Sequence, residues 1–549
     1  MMGIRTGGAV CLLILVLAQA APAAVSGRAL DSVTQQPIAG VQIRVQADPA
    51  SLVATTNALG EYTLNVSGLA GRRIGAARPY SHAVGADNYA TEHLEVSFDG
   101  ETDLNFLLEK LAPSRGFPPT PYTPAGAQTC SFCHTDQHAQ WQSSRHANAA
   151  NNVWMLDMFS GSGTPGGAAG YIFTATHASG DTGFCATCHA PMQDIFTPGM
   201  LKVDMVSTTA GNDSVSCLAC HQIVDVDTNQ INGLHYLGGK VDYYFSQASN
   251  VDFNVNGPLP DVVTGTMRNI YNPLFRDSLL CAACHQYTNP NNGAPGQNTY
   301  QEWLASPYAQ PGTAFRSCMD CHMPPADGEG QIASTSDVIR PAEQIRNHGI
   351  VGATPQSLAG AIFLSATARV EGNEFVVTAE VENRGAGHSF PTGFSIRNAL
   401  LWIEASHNGT PLMQSAGPTL PGWASDDVPG VQSGDLAGRP GSGFAKVLRG
   451  RINGQGSPVE PVIFIDAETV AEDSTLASGS TRTVEVRFTI PGGANPAQLN
   501  FDAQLLWRRA FRALAVTKGW TTSASGGPIE ILVSRRQGVN GVLLRDGFE

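Results

Sequence analysis

Apolar and polar residues alternate in short runs towards both ends of this chain, and the middle keeps no such period. Between residues 25 and 111, runs such as Val41-Gln-Ile-Arg-Val45 and Glu61-Tyr-Thr-Leu-Asn-Val66 turn every second side chain to one face. That is the period of a half-buried strand. Leu59-Gly60 and Gly71 separate the runs as turns. About seven short strands here predict a small β-sandwich. Between 356 and 536, Phe375-Val-Val-Thr-Ala-Glu-Val-Glu382, Ala399-Leu-Leu-Trp-Ile-Glu404 and Thr483-Val-Glu-Val-Arg-Phe-Thr489 alternate or are β-branched, and Asn408-Gly409 is a hairpin turn. A second β-sandwich is expected there. From 127 to 350 the pattern predicts loops and short helices, with helical pieces at Asp136–Ala150 and Tyr300–Ala309. Five prolines between 112 and 126 mark an extended spacer. Residues 537–549 form a tail to which the sequence assigns no role.

The first 24 residues read as a signal peptide. Arg5 precedes the apolar run Ala9–Leu17, and Ala18-Gln19-Ala20 and Ala21-Pro22-Ala23 are small-residue cleavage sites. The run is shorter than the roughly 20 apolar residues of a membrane span. Cys11 lies inside it, which argues against a lipid-modified terminal cysteine. An exported chain is expected, periplasmic or extracellular, with no stable membrane insertion.

Composition adds limits. The chain has 549 residues, too many for one core, so about three domains are expected. Charged residues are 14% and hydrophobic ones 42%, with 59 Gly and 34 Pro, which suits a loop-rich exported protein and excludes wholesale disorder. The net charge of -14 argues against nucleic acid and anionic membranes as partners. It favours a basic patch on a redox protein.

The cysteines set the class. There are eleven, and Cys11 leaves with the signal peptide. The other ten form five Cys-x-x-Cys-His units. These are Cys130-Ser-Phe-Cys133-His134, Cys185-Ala-Thr-Cys188-His189, Cys217-Leu-Ala-Cys220-His221, Cys281-Ala-Ala-Cys284-His285 and Cys318-Met-Asp-Cys321-His322. This is the signature of c-type haem attachment. Two thiols three residues apart reach the two vinyl groups of one porphyrin, and the adjacent imidazole meets the iron. The chain's own composition gives about 0.006 such units by chance. A zinc ribbon or a disulfide framework requires neither a His after every second Cys nor the absence of further Cys. Five covalent haems c are therefore expected, packed in a segment whose apolar filling is largely porphyrin.

The second ligand of each iron decides the chemistry. A strong ligand closes the iron for electron transfer, and an open position admits substrate. Five further histidines fall in the haem segment, His138, His146, His177, His235 and His348, and His388 sits just beyond it in Gly387-His-Ser-Phe-Pro-Thr-Gly393. These six are the candidate distal ligands. His82, His93 and His407 fall in the β-regions and read as structural or exposed. Met192 and Met323 read as packing. A short repeat also stands out: Gln140-Trp-Gln-Ser-Ser-Arg-His-Ala147 matches Glu302-Trp-Leu-Ala-Ser-Pro-Tyr-Ala309 at Trp, the small residue, Ser and Ala.

Two resemblances follow from these residues. Gly27-Arg28, Pro37-Ile-Ala-Gly-Val41 and Thr55-Thr-Asn-Ala-Leu-Gly-Glu-Tyr62 resemble carboxypeptidase regulatory-like domains, which implies a spacer or adhesion module. The order Cys-x-x-Cys-His, Trp-x-x-Ser-x-His-Ala, further haem motifs, Cys318–Pro324 and Asn383-Arg-Gly-Ala-Gly-His388-Ser-Phe-Pro-Thr-Gly393 is similar to multihaem cytochromes of the cytochrome c-554 type. That likeness implies stacked haems, mostly bis-His, with His146, His348 and His388 as distal ligands. All five motifs end in His, unlike the Lys-containing motif of ammonia-forming nitrite reductases. Three functions stay open: an electron carrier serving redox protein partners, an oxidoreductase with one open haem acting on a small nitrogen or sulfur oxyanion, and a subunit of an extracellular conduit in which the β-regions make oligomer or complex contacts.

Overall fold

The computed structural model describes residues 23–114, 118, 122–162, 169–230, 240–245, 254–264, 267–289, 292–539 and 542–544. Most of the expected signal peptide, all of the segment holding His235, and parts of the proline-rich stretch and tail lie outside the described residues. The chain divides into two compact units.

The first unit comprises residues 1–79, 89–110 and 260–263. Strand Val25–Asp31 pairs antiparallel with Glu61–Leu64 and parallel with Phe106–Leu108. Strands Ala54–Thr55, Gln42–Val45, Arg73–Ala77 and Glu92–Glu95 form a second sheet in that order. Alternate side chains of both sheets, among them Val25, Ile43, Val45, Leu64, Ile74 and Phe106, share one apolar core. Residues 260–263 of the haem segment belong here, which the sequence pattern did not show. Asp261 accepts a hydrogen bond from the Ala47 N–H at 2.7 Å, and Gly75 supplies the room, since a Cβ there would lie 2.5 Å from the Asp261 Cβ.

The second unit holds residues 80–88, 111–259 and 264–549, so the haem segment and the C-terminal strands form one body. Strands Ile362–Glu371, Glu374–Asn383, Thr481–Thr489 and Gln414–Ala416 form one sheet. A larger sheet runs Ala467–Asp473, Gly441–Gly450, Asn398–His407, Leu499–Arg508, Glu530–Val539 and Val542–Leu544. Phe375, Val377, Leu401, Ile403, Phe501 and Leu505 from the two sheets meet in one core. Asn408 and Gly409 both take positive φ, 49° and 78°, and return the chain to pair His407 with Thr410.

Among the described residues the haem segment carries helices of at most eight residues, with three two-stranded sheets between them. Such pieces are too short to persist alone and depend on what they pack against. The helix expected at Asp136–Ala150 runs only over Thr135–Gln142. It stops because the Ser143 hydroxyl donates back to the Gln140 carbonyl at 2.7 Å and the His146 carbonyl accepts from Val215 N–H instead of a helical partner. The second expected piece is the helix Thr299–Leu304 followed by a 3-10 turn, Pro307–Ala309. Among the described residues no helix is long and apolar enough to cross a membrane.

Candidate functional site

Four of the five Cys-x-x-Cys-His units lie wholly on helices. Cys185–His189, Cys217–His221 and Cys318–His322 are five-residue helices, and Leu279–His285 carries the fourth unit. A helical turn puts residues i and i+3 on one face, so both thiols point the same way.

The first unit differs in its local structure. Cys130 lies on helix Ala127–Ser131, but Cys133 sits in the turn between that helix and Thr135–Gln142, which His134 caps. The reason is a tertiary pull on this stretch. Ser334 N–H donates to the Cys133 carbonyl at 2.7 Å, and the Ser334 hydroxyl donates to that of Phe132 at 3.2 Å. Those carbonyls are thereby taken from a continuing helix. The turn still closes, because Cys133 and His134 N–H both donate to the Cys130 carbonyl, at 3.3 and 2.9 Å.

None of the ten motif cysteines is in a disulfide. A structural zinc needs four converging ligands; among the described residues no three His, Cys, Asp or Glu side chains converge as a metal-ion site. The five units crowd together. Thiols of different units lie close enough to shift one another's ionisation, Cys130 beside Cys217, Cys188 beside Cys284 and Cys281 beside Cys318. Cys133 belongs to none of these three pairs. Cys318 N–H also donates to the buried Ser278 hydroxyl that precedes the fourth unit's helix, at 3.0 Å.

Four motif imidazoles are oriented by carbonyls at Nδ1. Nδ1 of His134 meets the Ile332 carbonyl at 2.7 Å, His189 that of Ala149 at 2.7 Å, His221 that of Asn256 at 2.7 Å and His322 that of Val351 at 2.6 Å. Nδ1 must donate to these carbonyls, which leaves the lone pair on Nε2, the nitrogen that ligates a metal. His285 is the exception, with Gln297 Nε2 2.8 Å from its Nδ1. Ligation through Nε2 there requires the amide turned to present its oxygen.

Three further imidazoles face motif imidazoles. Ring centres of His146 and His285 are 6.2 Å apart, of His221 and His348 6.4 Å, and of His322 and His388 6.3 Å. Two imidazoles on opposite sides of one metal stand about 6.2 Å apart, from metal–nitrogen bonds of about 2.0 Å and a further ~1.1 Å from nitrogen to ring centre on each side. The residues fit a haem iron between each pair. His348 and His388 are turned as the motif rings are, with Nδ1 on the carbonyls of Arg346 at 2.8 Å and Ser389 at 3.0 Å. The Nδ1 of His146 is buried with no hydrogen-bond partner among the described residues. That is costly in a plain interior. Burial, then the neighbouring His189 and His322, pushes its pKa down to about 4. Burial and nearby imidazoles likewise push His285 to about 3, and His221 is pushed to about 4. Neutral rings keep the lone pair that a metal takes.

The other candidates sit differently. His177 lies flat on Phe173 with ring centres 4.0 Å apart, its Nδ1 3.2 Å from the Phe173 carbonyl and its Nε2 2.9 Å from Asp466 Oδ1. Both nitrogens are thus held by protein oxygens. His138 follows His134 by one helical turn, with its ring 5.5 Å from that of Trp141. His235 lies outside the described residues. Met192 is buried in an apolar cluster.

Three arginines lie near one another here; sequence reasoning missed Arg397 and Arg509 and weighed Arg145 only as lining the pocket of an open haem. Arg145 and Arg509 both donate to the Ala353 carbonyl, each at 3.2 Å, and Arg397 donates to that of Thr392 at 3.0 Å. Among the described residues none of the three pairs with a carboxylate. Burial, then the charge of Arg145, lowers Arg397 to about 10, and its charge is felt at His285 and His388.

No protein-family model matches this chain, and no curated protein matches it. A solved structure does. The crystal structure of a penta-heme cytochrome c552 from Thermochromatium tepidum is 20% identical, with a TM-score of 0.50, over 76% of this chain and 98% of that one. The two chains share a fold.

Proposed function

We propose that the chain is an exported pentahaem c-type cytochrome that passes electrons along closely packed haems. The observation that carries it is the set of three imidazole pairs at 6.2, 6.4 and 6.3 Å, each joining a motif histidine to a histidine remote in sequence. In this reading His146, His348 and His388 are the distal ligands of the haems of His285, His221 and His322. When bound, such haems supply one-electron chemistry, the iron cycling between Fe(III) and Fe(II). The chain's residues hold them, close their irons and set their potentials. The proximity of thiols from different units supports a close packing of neighbouring haems. Cys133 remains the second attachment thiol of the first unit, since its turn keeps the three-residue spacing from Cys130. Arg145, Arg397 and Arg509 are the groups that would meet haem carboxylates. His177 is assigned to structure. His138 and His235 remain the candidates for distal positions elsewhere in the cluster. Likeness to the c-554 type, and periplasmic or extracellular location, belong to this proposal.

One observation favours a second reading. Among the described residues no imidazole faces His134 or His189 at the ligating distance, as expected of an oxidoreductase with an open haem. Haem quantification with a stepwise reductive titration tests the carrier reading. It expects five haems per chain, all reduced and reoxidised without a substrate. Fewer haems, or turnover of nitrite, hydroxylamine or sulfite by one of them, would overturn it.

A further inference from the structure

The two short repeats occupy matching positions. Trp141 Nε1 donates to the Val215 carbonyl at 2.8 Å, and Trp303 Nε1 donates to the Arg316 carbonyl at 2.9 Å. Val215 lies two residues before Cys217, and Arg316 two before Cys318. The same two residues are gripped from the other side, because Val215 N–H donates to the His146 carbonyl at 3.1 Å and Arg316 N–H to the Tyr308 carbonyl at 3.0 Å. His146 and Tyr308 are equivalent in the repeat. Ser144 N–H returns to the Trp141 carbonyl at 2.8 Å, and Ser306 N–H to that of Trp303 at 2.9 Å.

The residue heading each repeat reaches the other side of the same pair of imidazoles. Gln140 Oε1 accepts from His348 N–H at 2.8 Å. Glu302 Oε2 accepts from Ser389 N–H at 3.2 Å and from the Thr392 hydroxyl at 2.5 Å. His348 faces His221 of the unit that Trp141 pins, and His388 faces His322 of the unit that Trp303 pins.

We propose that the repeats are a duplicated clamp, in which Gln140 and Glu302 are positioning residues that, with the tryptophan beside each, fix both axial imidazoles of one haem. This rests on the axial pairing proposed above. One helix holds the approach to the proximal motif by an indole and the distal loop by a carbonyl or carboxylate oxygen, so the spacing across the iron is set by a single rigid piece. Half-buried hydrogen-bonded orienting groups of this kind tune a ligand without touching the metal. The copies differ in charge: Glu302 also pairs with Lys446 at 3.1 Å, and Gln140 is neutral. An amide therefore suffices for the hold.

The test uses the full haem-loaded protein, with haem content checked for each variant. Glu302→Ala and Gln140→Ala are each expected to let one haem in five bind carbon monoxide when reduced and to weaken one low-spin resonance when oxidised. Glu302→Gln is expected to keep all five haems as in the parent. His388→Ala is run alongside. A silent His388→Ala contradicts the ligation itself. A haem opened by His388→Ala but untouched by Glu302→Ala and Trp303→Phe overturns the clamp alone. So does a Glu302→Gln that behaves like Glu302→Ala.

Discussion

The rings of His322 and His388 face one another 6.3 Å apart and within 17° of parallel. The first sits on a helix of the haem segment and the second on the loop that leaves strand Glu374–Asn383. That loop is anchored where it starts, since Asn383 Nδ2 donates to the His388 carbonyl at 2.8 Å. The C-terminal sheets therefore do more than package the chain, because their loop supplies an imidazole to the site. His388→Ala and His146→Ala are each expected to open one haem to carbon monoxide. His177→Ala is expected to open none and to cost about 1 kcal/mol of stability for the lost hydrogen bond, since Asp466 keeps those from Tyr171 and Asn453. Carbon monoxide difference spectra and thermal melts check all three.

The arginine trio gives a second expectation. A guanidinium beside an oxidised haem disfavours its extra positive charge. Arg397→Gln should lower the midpoint potential of the haem between His146 and His285 more than Arg397→Lys does, with the spin state unchanged. Potentiometric titration followed optically reads it, and equal shifts in the two variants would contradict the charge argument.

The wall of the second unit carries a buried ion pair. Lys518 Nζ lies 3.4 Å from Asp157 Oδ1, both side chains are fully buried, and Trp520 Nε1 donates to Asp157 Oδ2 at 2.7 Å while stacking on Trp154 with ring centres 4.2 Å apart. Breaking such a pair leaves an uncompensated charge. Lys518→Met is expected to cost about 3–5 kcal/mol in denaturant unfolding, and Lys518→Met with Asp157→Asn less.

Asp426 predicts a pH dependence. Burial raises its carboxyl pKa to about 7, and its Oδ2 has no hydrogen-bond partner among the described residues. The folded state then holds a proton that the unfolded state releases near the ordinary carboxylate range. Stability is present below that range and is lost as pH rises towards about 7. Asp426→Asn should therefore melt higher than the parent at pH 8, by about 1–3 kcal/mol, and close to it at pH 4.

The motif cysteines and histidines, the strand-rich ends and the tryptophan repeat were legible because each is local: a spacing, a period, a matched run. What the repeat does was not, since Gln140 and His348 meet only after folding, as do Trp303 and Arg316. The five motifs read alike in sequence, and only the approach of Ser334 sets Cys133 off its helix. The helix expected through Ala150 ends at Gln142 because tertiary hydrogen bonds to Val215 outweigh propensity. His177 looked like the other spare histidines, and only the approach of Asp466 from a distant turn distinguishes it. Arg397 and Arg509 carry no motif, and the signal they share with Arg145 is a lack of acidic partners among the described residues that no sequence pattern records.

The account stands most directly on the electron paramagnetic resonance spectrum of the fully oxidised protein with its haem quantified. It predicts low-spin ferric signals only, unchanged by nitrite, hydroxylamine or cyanide. A high-spin haem that responds to one of these ligands would contradict a closed electron carrier and make that haem the site of a reaction.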